Sequence, residues 1–273
     1  MIELTTKVVF LGTGTPNPDP DRMGPSIAII VDSRVYIIDF GVGLVRRAVT
    51  AGIDIRNLTR GFLTHLHSDH TIGYPDFIFT PGIAGRKQPL EVYGPKGLKE
   101  MTDHIMLAYQ IDLDERINGL EPTKKEAYIV NAYEIDEGPI YKDDFVDVEA
   151  FLVSHGSLEA YGYKFKTTDK TIVISGDTCP SQNLVNHAMN CDILIHEVYS
   201  AVGLQMRSEE WRKYHAAVHT STYELTEIAN KIRPELLILY HQLHWSVTDE
   251  DLVLEISRKY EGKIASARDL STF

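Results

Sequence analysis

An α/β fold is what the sequence predicts, and three observations carry it. Apolar, β-branched runs bounded by turn residues recur along the chain, helical spacings fall between them, and five of the runs end at or near a histidine or a carboxylate. The runs are KVVFLG (7–12), SIAIIVDS (26–33), VYIIDFG (35–41), GFLTH (61–65), VEAFLVSHG (148–156), TIVISGD (171–177), DILIHE (192–197) and ELLILYH (235–241). The stretch from 156 to 176 reads as a turn and two strands. A helix is predicted over 221–233: Ser221 and Glu224 form a capping box, Leu225, Ile228, Ala229 and Ile232 repeat at helical spacing, and Pro234 ends it. A second helix runs from Thr248 to Tyr260 with Gly262 as its stop. LKEMTDHIMLAYQIDL (98–113) has the pattern of one amphipathic helix. The polar strand ends are His65, His155, Asp177, Glu197 and His241. Buried strands that deliver such residues to one rim are how layered α/β folds build ligand sites.

Composition bounds the rest. The 273 residues, 43% of them hydrophobic, suffice for a substantial core, and no repeat or linker-like tract divides 1–273 into more than one domain. No apolar run reaches the roughly 20 residues needed to span a bilayer, so no membrane partner is expected. The opening MIELTTKVVFLG lacks a charged leader region and a cleavage site, which points to the cytoplasm. Cys179 and Cys191 have neither disulfide-framework numbers nor C-x-x-C spacing and read as core thiols. A net charge of −12 opposes non-specific attraction to nucleic acid.

The segment THLHSDHTIG (64–73) places His65, His67, Asp69 and His70 within six residues. In an extended segment His65 and His67 point the same way, and the turn that follows swings Asp69 and His70 toward a second point. One segment then serves two adjacent ions. Each ion remains short of the three or four ligands zinc requires, and His155, Asp177 and His241 fill the deficit. Seven ligands with one bridging carboxylate suit two ions about 3.5 to 4 Å apart that share a hydroxide. Nitrogen and oxygen donors favour two zinc ions and leave manganese or iron open. His104, His187, His196, His215 and His244 lack partners at ligand spacing and read as packed histidines.

At these residues the sequence resembles the metallo-β-lactamase superfamily: HLHSDH, then the His of SHG, the Asp of SGDT and the His of YHQ stand in family order over nearly the whole chain. The resemblance implies an αββα four-layer sandwich. It also implies that His65, His67 and His155 bind one metal, that Asp69, His70 and His241 bind the other, and that Asp177 bridges them. Asp39 in IIDFG matches a strand-end acid that orients a ligand histidine, and reads equally as a turn cap before Gly41.

FLGTGTP, LIHEVYS and HTSTYELTEIA look like the ribonuclease Z branch, in which a glutamate partners a histidine that assists ester cleavage. Carried over, these are Glu197 and His219, with Asp69 as the third catalytic residue. The resemblance extends to arylsulfatase-like relatives, and related dimers use the 83–147 region, which implies a homodimer. One departure stands out. The long arm that grips transfer RNA between the third ligand histidine and the bridging aspartate is missing, since only 156–176 lies there. The expectation is a metal-dependent hydrolase of a small ester, phosphodiester or sulfate, with tRNA not a partner. A lactone or β-lactam hydrolase and a tRNA 3′-processing endoribonuclease are the alternatives.

Overall fold

The computed structural model describes residues 5–273; residues 1–4 of the stretch read above for a leader lie outside them. One sheet holds, in spatial order, β1 (Thr6–Gly12), β2 (Ser26–Val31), β3 (Arg34–Ile38), β4 (Arg60–Phe62), β5 (Leu90–Gly94) and β6 (Val130–Glu134). A second holds β7 (Gly138–Lys142), β8 (Asp147–His155), β9 (Leu158–Lys166), β10 (Thr171–Ile174), β11 (Ile193–Tyr199), β12 (Leu236–Leu243) and β13 (Ile264–Ser266), also in sequential order. Each sheet begins antiparallel, and β3 to β6 and β10 to β13 are parallel. The helices are α1 (Leu44–Thr50), α2 (Ser68–Thr71), α3 (Tyr74–Ile83), α4 (Leu98–Ala108), α5 (Gln110–Asn118), α6 (Gln182–Ala188), α7 (Ala201–Leu204), α8 (Glu209–Val218), α9 (Thr222–Ile232) and α10 (Asp249–Ser257). None is long and apolar enough to cross a membrane among the described residues.

Strand alternation sorts the apolar side chains into three buried layers. On β1, Val8 and Phe10 face the second sheet while Val9 and Leu11 face helices. On β12, Ile238 and Tyr240 join the layer between the sheets while Leu237 and Leu239 meet α9 and α10. The outer layer of the first sheet is closed by Leu44 and Val45 of α1 and by Tyr74 and Phe77 of α3. Helix, sheet, sheet and helix is the predicted four-layer order.

The capping box of α9 forms as read, with Ser221 and Glu224 satisfying each other's backbone N–H groups. Three readings shift. The 98–113 helix breaks at Tyr109 (φ −102°, ψ 15°) into α4 and α5. The last helix stops at Ser257, short of Gly262. Strand β4 stops at Phe62 instead of reaching His65, because the next backbone groups are taken from outside the ladder: Tyr163 Oη donates to the Leu63 carbonyl, and Thr64 N–H donates to Asp39.

Three segments of the chain meet at Asp249. Its carboxylate, 7% exposed, accepts both bonds of one Arg22 nitrogen at 2.8 Å, Arg268 Nε at 2.8 Å and His244 Nε2 at 2.8 Å. Arg22 also reaches Gln242, beside His241. Burial pushes this carboxyl up, but the bonds from His244 and Arg268 and the Arg22 charge outweigh it and hold the group well below the usual carboxylate range. A depressed folded-state value stabilises above the unfolded value of about 3.9, and the contribution fades as pH falls below about 4. Asp249→Asn should therefore be less stable than wild type at pH 7. Urea unfolding at pH 7 and pH 3 should show the gap narrowing at the lower pH.

Candidate metal centre

The HLHSDH segment is clamped from behind before it offers any ligand. Phe40 N–H donates to the His70 carbonyl and Gly73 N–H to the Phe40 carbonyl, each at 2.8 Å. A Cβ at Gly73 would overlap the Gly41 carbonyl oxygen, so the contact requires glycine. Asp39, at φ 61°, accepts the Thr64 N–H and hydroxyl at 2.8 and 2.9 Å and the His70 Nδ1–H at 2.9 Å. That is the orienting role read for it, in preference to the turn cap.

The same device recurs at other histidines. His65 Nδ1 lies 3.0 Å from Thr64 Oγ1, whose proton goes to Asp39, and His155 Nδ1–H donates to the Val218 carbonyl at 2.8 Å. With Nδ1 engaged, each ring turns Nε2 inward. His65 Nε2 and His155 Nε2 each lie 3.0 Å from His67 Nδ1. Donors around one tetrahedral zinc sit roughly 3.3 Å apart, so this spacing suits a shared ion. On the other side His241 Nε2 is 3.1 Å from Asp69 Oδ2, and His70 Nε2 is 3.6 Å from the same oxygen.

Asp177 lies between the two groups. Its Oδ1 is 3.6 Å from His70 Nε2, and its Oδ2 is 3.7 Å from His241 and 4.0 Å from His65. His70 Nε2 and Asp177 Oδ1 are buried and have no hydrogen-bond partner. Lone pairs that converge without protons to share are costly in a buried site unless a cation stands among them. The donor set therefore fits metal ions. Four overlapping triads, drawn from the seven predicted ligands and His219, have ligand atoms within 4.8 Å of one another.

Protonation follows the same logic. Burial pushes His65, His67 and His155 down from the ordinary histidine value, toward the neutral form of a ligand, whereas at His70 and His241 burial is outweighed by the Asp177 charge and neighbouring carboxylates, which push them up. Against the upward push of burial, His241 and His70 hold the Asp177 carboxyl well below its usual range.

Glu197, fully buried on β11, accepts at one oxygen, Oε1, from Thr178 N–H (3.2 Å), Thr220 N–H (3.0 Å) and His219 Nδ1–H (3.2 Å). Its other oxygen has no partner. His219 caps the end of α8, with its ring 5.1 Å from that of His155. Burial pushes His219 down to about 4, and burial with the nearby Asp177 charge pushes Glu197 up. Both shifts disfavour a buried ion pair. His219 also falls at ligand distance from His155 and Asp177, an approach the sequence reading did not anticipate. Of the histidines read as packed, His196 Nδ1–H donates to the Glu197 carbonyl, His187 stacks on Phe151, His215 is buried and His244 binds Asp249, whereas His104 is exposed on α4.

Residues 6–252 match the family described as anti-Pycsar protein Apyc1. The chain belongs to the Apyc1 family. The matched span includes every ligand named above, from His65 to His241, together with Glu197 and His219. The chain is also 29% identical over 246 residues to the ribonuclease Z of Mycobacterium bovis, an alignment covering 88% of this chain and 86% of that protein. Its fold matches the metallo-β-lactamase fold protein YhfI of Bacillus subtilis (TM-score 0.78, 16% identity, 98% and 99% of the chains). It also matches the short form of human tRNase Z (TM-score 0.73, 21% identity, 98% of each chain). This Apyc1-family chain is thus ribonuclease Z-like in sequence and has the metallo-β-lactamase fold.

Proposed function

We propose that the chain is a dinuclear metal-dependent hydrolase of a small ester, with phosphodiesters and sulfate esters as the leading substrates. The observation that carries this reading is Asp177, a buried carboxylate turned toward histidines of both ligand groups. His65, His67 and His155 would hold one ion and Asp69, His70 and His241 the other, with Asp177 shared; zinc suits these donors, as do manganese and iron. Bound there, such ions supply Lewis acidity toward the ester's oxygens and make water more acidic.

The chain's own residues handle protons and position. Asp69, whose side chain is 10% exposed, is the more open of the two ligand carboxylates and orients incoming water. With its Nδ1–H given to Glu197, neutral His219 presents Nε2 to the reacting groups. It takes up the proton released as water attacks and passes it to the departing alkoxide, which leaves as an alcohol. Glu197 fixes the ring and the tautomer. We further propose that the homodimer implied by the resemblance buries the exposed Leu107 and Ile111 of α4 and α5.

A second reading, tRNA 3′ processing, is favoured by the relative named ribonuclease Z. Against it, β8 turns directly into β9 with His155 paired to Leu158, leaving no arm, and the chain carries −12 net charge. A panel of chromogenic phosphodiester, sulfate ester, lactone and β-lactam substrates, run beside a precursor-tRNA trimming assay, tests the reading. Turnover should be highest for the phosphodiester or the sulfate ester, and trimming should be weak. Efficient, site-specific trimming would favour the second reading, and a lactone or β-lactam preference would favour carbonyl chemistry.

A further inference from the structure

Among the ligand histidines that turn Nε2 toward the metal centre, His241 is held differently from the rest. His65, His70 and His155 each have Nδ1 engaged, by Thr64 Oγ1, by Asp39 and by the Val218 carbonyl. His241 Nδ1 is buried and has no hydrogen-bond partner. Its aim is set by the backbone instead. In the β11–β12 ladder Tyr240 pairs with Glu197 and Gln242 with Val198, so His241 is an extra residue that nothing on β11 opposes. Such a bulge turns one side chain out of the strand's alternation. His241 sits there at φ 48°, a state that a histidine keeps only where its surroundings impose it.

The next residue imposes it. Gln242 is buried, and its Nε2 reaches back across the bulge to the Leu239 carbonyl at 3.0 Å and sideways to Ser266 Oγ at 3.0 Å and the Ala267 carbonyl at 2.9 Å. Its Oε1 accepts from Arg22 Nη1 at 3.0 Å, and that nitrogen also donates to Thr13 Oγ1 and the Ala267 carbonyl. The other terminal nitrogen of Arg22 is fixed by Asp249. One rigid fork thus serves the bulge and the carboxylate together, which the point charge of a lysine does less well. Both polar atoms of the Gln242 side chain are committed to strand geometry, one residue away from a ligand.

We propose that Gln242, braced by Arg22, is a positioning residue: it holds the bulge that aims His241, and so sets the affinity of the Asp69, His70 and His241 group for its ion without setting that of the His65, His67 and His155 group. The inference rests on the reading of these residues as ligands to two ions. It gives Arg22, on the proline-rich stretch between β1 and β2, a part in the centre although it touches no ligand.

Zinc titration of the full chain against a competing chelator tests it, with amide hydrogen exchange over 239–243 read on the same samples. Gln242→Ala should weaken one of two ions by about 10- to 100-fold, the usual cost of losing a group that orients a ligand, and leave the other unchanged. Exchange over 239–243 should quicken. Arg22→Ala should weaken the same ion, and Arg22→Lys should recover part of the loss. Arg268→Ala takes a bond from Asp249 and none from Gln242, so both ions should bind as in the wild type. In a His241→Ala background Gln242→Ala should cost no further affinity, because the ligand it aims is already gone, whereas a general structural loss would persist there. Unchanged affinity, equal loss at both ions, or a loss that persists without His241 would each overturn the proposal. Should Gln242→Ala fail to fold, the two Arg22 variants decide by the same criteria. If the wild type binds no zinc and exchange still quickens in Gln242→Ala, the metal reading fails and takes the affinity claim with it, while the brace on the bulge stands. If two ions bind equally well in the wild type, Gln242→Ala and Arg22→Ala, the metal reading stands and the positioning role falls.

Discussion

Asp177→Ala should abolish measurable ester hydrolysis, a loss of roughly 10⁴-fold or more, the scale seen when a member of a catalytic unit is removed. It should also lower the metal content from about two ions per chain to one or none. Asp177 is 3% exposed and faces His65, His70 and His241, so deleting it takes an anionic donor from both ligand groups at once. Asp69 is then the one anionic ligand left against two dications, and the imidazoles beside it are neutral. Asp177→Asn separates charge from volume, because the amide fills the same space and still loses the anionic ligand. Both variants should keep the wild-type circular dichroism, since the core layers beside β10 are unchanged. His241→Ala gives the intermediate case: it removes a ligand from the Asp69 group, and elemental analysis after dialysis should fall to about one. Two ions retained by Asp177→Ala, or a wild type fixed at one ion in excess metal with His241→Ala no lower, would contradict the shared-carboxylate arrangement.

What the sequence made legible follows from how each group acts. Ligand side chains are chemically distinctive, and the turn in HLHSDH compresses four of them into one segment, so the centre could be read before the fold was known. The groups that hold those ligands were not legible. Thr178 and Thr220 act on Glu197 through backbone N–H groups, which every residue but proline possesses. Val218 orients His155 through its carbonyl. Strand β6 is half-exposed along its length and β7 contains Pro139, so neither shows the apolar alternation that marked the other strands. Arg86 shows the same limit for the core. Its guanidinium is 1% exposed and donates to the Leu58, Phe77, Ile78 and Ala127 carbonyls. An arginine in a polar stretch of sequence carries no sign of that burial.

His219→Ala should reduce kcat on esters with poor leaving groups by about 10² to 10⁴-fold, the usual contribution of a positioned proton donor, while both metals stay bound. The geometry gives the reason. His219 Nδ1–H is committed to Glu197 Oε1 at 3.2 Å, so only Nε2 is left to serve the substrate, and Ala removes it without disturbing the Thr178 and Thr220 bonds that hold Glu197. Glu197→Gln should cost less, because the amide oxygen can still accept from His219 Nδ1–H and the proton-carrying ring itself is kept. Substrate pairs that differ only in leaving-group pKa then isolate the step. A nitrophenolate departs without a proton, so both variants should lose little on it, whereas an alkyl leaving group should expose the full deficit. Metal analysis of the same samples distinguishes the other role open to His219, which lies at ligand distance from His155 and Asp177. A drop in bound metal, with equal losses on both members of a pair, would make His219 a ligand. No loss on either member, with metal intact, would remove it from proton transfer and favour a lactone or β-lactam substrate, whose departing atom stays tethered in the product.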